Sequence, residues 1–360
     1  MRVTSKGVEE RFDETWKRGV SGDNKGLPLS KKYYKRHTKY ICNVQRGRFD
    51  IVAGSTGSGK SSMILDQYIF NPMMAAMMDP TIDLHIMYFN MELPVQNVCA
   101  KYIGRLIFED TGIPLSINQI FQKGDNRLSP EHTALVDSYR PRISNMLKYV
   151  SFYEGSITGK YMFMEVFRKL EKLGTMKYKK DTNIVESYTY HNPNTYIICI
   201  ADHIGLLKKN QGERSLKESI DNTVNDVIIP TRNRYDIAWA IGQQMNRSTD
   251  DSMRMKSAIG PEPIISDLKD SSVPGDGADT IMAIYKPQDY NIDSYMNYRL
   301  KPMKDYFRCI KYLKNRDGQA GKKNPFGFRG DIGLFKELPP PEDIINGNVK
   351  QEDISKYFEQ

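Results

Sequence analysis

Gly54-Ser-Thr-Gly-Ser-Gly-Lys-Ser-Ser62 is the stretch that decides the fold of this 360-residue chain. From Gly54 to Ser61 it matches GxxxxGK[ST] without deviation. "RFDIVAG" (48–54) before it reads as a short apolar strand. "KSSMILDQYIF" (60–70) after it pairs Ile64 with Tyr68 and Leu65 with Ile69 at helical spacing. Strand, glycine-rich loop and helix in that order form a phosphate-binding loop. The glycines let successive backbone N–H groups turn inward around phosphate oxygens at a helix N-terminus. Gly54, Ser55, Thr56, Gly57, Ser58, Gly59, Lys60, Ser61 and Ser62 are therefore expected around a nucleotide. Lys60 supplies charge to the β- and γ-phosphates, and the Ser61 hydroxyl is suited to Mg²⁺. ATP and Mg²⁺ are the cofactors this implies.

Working outward, five further apolar runs read as strands: "LHIMYFN" (84–90), "YVSFYE" (149–154), "TYIICIAD" (195–202), "DIAWAIGQ" (236–243) and "TIMAIY" (280–285). Helical patterns lie between them. "SPEHTALVDSYRPRISNMLKY" (129–149) opens with Ser129 as N-cap and Pro130 at the first helical position. "YMFMEVFRKLEKL" (161–173) repeats apolar residues at Phe163, Val166, Phe167 and Leu170. Buried strands alternating with helices predict an α/β fold, a mostly parallel twisted sheet flanked by helices. "FRCIKYLKNRDGQAGKKNPFGFRGDIGLF" (307–335) differs: two strand-like arms around a polar Gly-rich turn predict a C-terminal β-hairpin.

Composition excludes several classes. No apolar run is long enough to cross a membrane, and "MRVTSKGVEERF" has no signal-peptide core, so an intracellular protein is expected. The four cysteines are far apart without a CxxC pair, which suggests neither zinc nor a disulfide framework. The net charge of +8 is compatible with a nucleic-acid partner but does not specify one.

A nucleotide hydrolase also needs an acidic residue beside the metal and a carboxylate to orient water. Asp202 ends a buried strand, as a Walker B aspartate does. The next residue is His203, so motors that place a glutamate directly after that aspartate fit poorly. Glu92, in "LHIMYFNMELP", ends the next strand after the loop. A strand adjacent to that of the phosphate loop would deliver it to the same sheet edge.

These motifs in this order resemble the RecA-like P-loop core of DnaB-type replicative helicases. "Phe89-Asn-Met-Glu92" is similar to the family's Phe-Ser-Leu-Glu-Met signature, which implies that Glu92 is catalytic. "Asp202-His-Ile-Gly-Leu206" looks like Asp-Tyr-Leu-Gln-Leu without the tyrosine and glutamine. "IAWAIGQQMNR" (237–247) resembles the strand ending in Ser-Gln-Leu-Asn-Arg and puts Gln244 at the γ-phosphate sensor. "SDLKDSS" (266–272) resembles the DNA-loop segment, which implies that Lys269, Asp270 and Ser272 contact single-stranded DNA. "KYLKNRDGQAG" (311–321) is similar to the family's Lys-x-Arg, so Lys314 and Arg316 would reach a neighbouring subunit's γ-phosphate. Two residues apart on a strand, both cations share a face. The resemblance implies an ATP-dependent helicase moving 5′–3′ on single-stranded DNA as a ring, most plausibly a homohexamer. A RecA/RadA-like recombinase and a KaiC-like scaffold share the same core and are the alternatives.

Neither collar nor primase domain fits in residues 1–25, which implies a minimal helicase of phage or other viral type, acting inside an infected host, with a separate primase. There, Val8, Phe12 and Trp16 form one stripe of a linker helix, suited either to docking on a neighbouring subunit or to packing on its own core. Residues 26–335 form the core. Residues 336–360 read as a flexible acidic tail. Gln351, Ile354, Tyr357 and Phe358 in it resemble the peptide by which replication proteins bind sliding clamps, which implies a clamp partner.

Overall fold

The computed structural model describes residues 5–182, 184–246, 254 and 260–354. Thirteen strands are present among these. The six runs read as strands are β1 (Phe49–Gly54), β2 (Asp83–Asn90), β3 (Val150–Tyr153), β6 (Thr195–Asp202), β7 (Ala238–Gln244) and β8 (Thr280–Tyr285). Between β3 and β6 stands a separate antiparallel pair, β4 (Gly174–Tyr178) and β5 (Val185–Tyr190). A two-residue pair follows β8, namely β9 (Ser294–Tyr295) and β10 (Tyr298–Arg299). The C-terminal arms are β11 (Phe307–Asn315), β12 (Lys323–Arg329) and β13 (Leu334–Glu337).

The main sheet runs β13-β12-β11-β8-β1-β7-β6-β2-β3. From β8 to β3 every pairing is parallel, and β11, β12 and β13 add antiparallel. Parallel strands need crossover connections, and these carry the helices to both faces. The two-residue period is visible in β6. Ile198 and Ile200 enter one core, and Ile197, Cys199 and Ala201 the other. Because both faces are covered, β1 and β6 are buried along their whole length.

The helix after the phosphate loop, α2, is continuous through Lys60–Leu65, a π turn at Asp66–Phe70, and Asn71–Met78. Next come α3 (Val95–Thr111), α4 (Pro130–Tyr139), α5 (Arg142–Tyr149) and α6 (Gly159–Leu173). Ser129 Oγ accepts the His132 N–H at 3.2 Å, so the expected cap is made. The single helix expected over 129–149 divides where Pro141 withholds an N–H. Further on are α7 (Leu216–Asn222) and α8 (Val273–Gly277).

The first helix, α1 (Ser5–Ser21), presents Val8, Phe12 and Trp16 outward, the indole 64% exposed. Packing of this stripe on the chain's own core is therefore not what the structure shows.

The C-terminal segment corrects two expectations. The core does not stop at Phe335: the Glu337 N–H donates to Tyr33 O at 3.0 Å, and its carboxylate accepts from Arg36 N and Asn324 Nδ2. Nor is 336–354 a loose tail. Leu338 and Ile354 are buried in a third core with Tyr285, Tyr295, Tyr298 and Phe307. Gln351 is bonded through both ends of its amide, to Asn297 O and from Arg299 N. Prolines and acids suggested a solvated segment, but the few apolar residues among them are spaced to fill this pocket. Two of the four residues assigned to a clamp are thus engaged by their own chain. Tyr357 and Phe358 lie outside the described residues.

Candidate nucleotide and hydrolysis site

β1 ends at Gly54 and α2 begins at Lys60, with the phosphate loop between them at the carboxyl edge of the parallel strands. Two of its glycines are sterically required. A Cβ on Gly54 would strike Ser58 Oγ. One on Gly59, which has φ +100°, would lie 2.8 Å from Phe335 Cζ and 3.0 Å from Phe328 Cζ. The two rings stack at 4.4 Å and floor the loop. A cavity of about 210 Å³ opens above it, lined among others by Ser61, Glu92, His203 and Gln244.

β2 is not adjacent to β1, because β7 and β6 lie between them. Glu92 still reaches the phosphate edge, since all four strands are parallel and end on the same side. Its charge acts on both Lys60 and Asp202.

Asp202 is fully buried at the end of β6. Burial raises its pKa to about 6, although Lys60 and the Ser61 hydroxyl pull it down. Tyr88 OH donates to Oδ2 at 3.4 Å, while Oδ1 has no hydrogen-bond partner among the described residues. A Cβ on Gly242 would collide with that oxygen. An orphaned carboxylate oxygen in a space kept open by glycine, beside the Ser61 hydroxyl, fits a hydrated Mg²⁺.

In the absence of metal and nucleotide, this burial has a stability consequence. The folded carboxyl titrates at about 6 instead of the ordinary 3.8. The folded chain therefore holds a proton that the unfolded chain releases, and stability falls as pH rises through that window. A difference of that size corresponds to about 3 kcal/mol. Asp202→Asn is expected to melt a few degrees higher than wild type near neutral pH, the gain disappearing below about pH 4. Thermal melts across that range check it.

Gln244, last residue of β7, donates from Nε2 to Thr56 Oγ1 at 3.0 Å, across the mouth of the phosphate loop. The Gly205 N–H donates to His203 Nδ1 at 3.1 Å, which leaves the ring proton on Nε2, 3.5 Å from Gln244 Oε1. Burial, with Lys60 nearby, holds His203 neutral by lowering its pKa. The residue that departs from the helicase signature thus orients the sensor amide. Sequence reasoning missed that role, and also missed Lys101, whose Nζ donates to Ser62 Oγ at 3.0 Å.

The neighbouring Gln243 is fully buried and donates to Lys269 O at 2.7 Å and to Ser271 O at 3.0 Å. Lys269 N–H donates to Gln244 O at 2.9 Å. The loop carrying Lys269, Asp270 and Ser272 is thereby fixed to the end of the strand that carries the sensor. Ser271 Oγ also bonds Asp221 of α7, tying this loop to the segment after Asp202. Lys269 and Ser272 face solvent.

Lys314 and Arg316 stand apart from all this. Asn315 pairs with Thr280, and Thr280 with Asp50, at the start of β1 and not at its loop end. At about 3.3 Å per residue the two cations lie on the order of 15 Å from their own phosphate loop. Lys314 Nζ donates to the carbonyls of Gly275 (2.9 Å) and Asp276 (2.8 Å), and Arg316 Nη1 pairs with Asp279 Oδ1 at 2.8 Å. Arg316 lies past the strand end, after a bulge at Leu313, so alternation does not align the pair. Convergence on the 275–279 segment does. The Arg316 side chain is 49% exposed.

No family model and no curated protein matches the chain. Among solved structures it is similar to the ATPase domain of a helicase, with a TM-score of 0.67 and 17% identity over 92% of this chain and 99% of that one. It is also similar to a DnaB-like replicative helicase described with its interactions with primase, with a TM-score of 0.62 and 16% identity. That match covers 87% of this chain and 64% of the helicase's length. Geometry and comparison agree on the architecture: this chain has the α/β P-loop ATPase fold of DnaB-like replicative helicases.

Proposed function

We propose that the protein is an ATP-driven helicase that translocates on single-stranded DNA as a ring, most plausibly a homohexamer, hydrolysing ATP between subunits. One observation carries the reading. Glu92, Lys60, Ser61, Asp202 and Gln244 share one sheet edge, whereas Lys314 and Arg316 lie at the other, out of reach of their own nucleotide. Cations so placed can complete a site only on another copy of the chain.

In this reading the loop amides and Lys60 hold the phosphates, and Glu92 orients the attacking water. Ser61 and Asp202 hold Mg²⁺, which when bound neutralises charge developing on the phosphates. Gln244 exchanges Thr56 for the γ-phosphate. Its neighbour Gln243 holds the Lys269 loop, so nucleotide state reaches the DNA contacts through one strand end. The exposed stripe of α1 docks on an adjacent subunit, and priming falls to another protein. Clamp binding through Ile354 would require its release from the third core.

ATPase activity measured with and without single-stranded DNA, alongside native mass, tests the proposal. A closed oligomer with severalfold stimulation is expected. A monomer at micromolar concentration with unstimulated turnover would refute it.

A further inference from the structure

We infer that Arg308, at the start of β11, is a positioning residue that sets the phosphate loop in its binding shape. The inference rests on the nucleotide-binding part of the proposed function. Arg308 is fully buried in a strand two places from β1. Its side chain runs beneath the loop. Nε donates to Ser58 O at 2.9 Å, and Nη2 approaches Gly57 O at 3.4 Å. Nη1 donates to Asp305 O at 2.6 Å and Phe307 O at 2.8 Å, and Nη2 also reaches Asp305 Oδ2 at 3.5 Å. All five donors of the guanidinium fork are thus engaged, and the Phe328 ring lies 5.2 Å from it.

Two consequences follow from elementary geometry. In a trans peptide the carbonyl and the following N–H point in opposite directions. Drawing the Gly57 and Ser58 carbonyls down toward Arg308 aims the N–H groups of Ser58 and Gly59 up into the loop. Ser58 N–H in fact crosses the concavity to Ser55 O at 3.2 Å. The loop contains three glycines and would otherwise sample many orientations. Arg308 removes that freedom before a ligand arrives.

The second consequence is electrostatic. An arginine buried for structure alone is ordinarily matched by a carboxylate. Here four of five acceptors are backbone carbonyls, and the single carboxylate oxygen is distant, on a side chain that is 71% exposed. The charge is left for the phosphates above the loop. Lysine, with three donors on one atom, could reproduce neither the fork nor its reach to both carbonyls.

Titration of the full-length protein with a fluorescent ADP and Mg²⁺ tests this, followed by ATPase kinetics. Arg308→Lys is expected to raise the ADP Kd and the ATP KM about ten- to a hundredfold, with kcat at saturation changed far less. A folded Arg308→Lys with wild-type affinity would overturn the assignment. Should that variant fail to fold, Phe328→Leu loosens the same guanidinium, and an unchanged Kd there overturns it equally. Failure of the wild-type protein to bind ADP would instead remove the nucleotide reading itself.

Discussion

Glu92→Gln is expected to bind ATP with near wild-type affinity and to hydrolyse it about 10²- to 10⁴-fold more slowly. The expectation rests on where the carboxylate sits. Glu92 lines the cavity over the phosphate loop but follows β2, three strands from β1, and makes none of the loop's own contacts. Its charge acts on Lys60 and Asp202. Glutamine keeps the shape and loses the ability to accept a proton from water. Affinity for ATP should therefore survive while the chemical step fails. Single-turnover hydrolysis beside equilibrium binding separates the two. Near-normal turnover would leave the chain without a base, because His203 follows Asp202 and already points its ring proton at Gln244.

Arg316→Ala is expected to lower ATP turnover by about 10³- to 10⁵-fold in the assembled protein, the size of effect seen when a transferred phosphoryl group loses its arginine. The fold should be nearly indifferent. The pair with Asp279 is half exposed and worth at most about 1 kcal/mol, and Asp279 keeps Arg232 at 3.0 Å. Co-assembly makes the test specific. A subunit lacking Arg316 still offers an intact Glu92 site, and a subunit carrying Glu92→Gln still offers an intact Arg316. Mixed rings of two inactive variants should regain about a quarter of wild-type activity, since about one interface in four pairs the intact halves. No recovery on mixing would mean that Arg316 serves its own subunit, as its bond to Asp279 does.

Much of the parallel sheet was legible because a strand buried on both faces must be apolar throughout, and "YIICIA" (196–201) admits few other readings. The phosphate loop was legible for a related reason: only glycine tolerates the backbone it needs. The β4–β5 pair was not legible. "GTMKY" (174–178) and "VESYTY" (185–190) each bury only one residue fully, so neither shows the signature of a core strand. The C-terminal segment misled in the opposite direction, since burying Leu338 and Ile354 takes only two apolar positions among many polar ones. Arg308 left a trace that went unused. A lone arginine between Phe307 and Cys309 in an apolar strand must find partners inside, but sequence does not name them.

What the sequence determined alone was local chemistry: a loop for phosphate, a strand-end aspartate, a glutamate after the next strand, and the alternation that makes a parallel sheet. Those follow from backbone sterics and from the period of burial, which neighbouring residues settle between themselves. Only the tertiary structure decided strand order, the gathering of Glu92, Asp202 and Gln244 over one loop, the separation of Lys314 and Arg316 from it, and the closure of the tail onto its own core. These depend on register between segments far apart in the chain. That register is set by how the helices cover the sheet, which no short stretch contains.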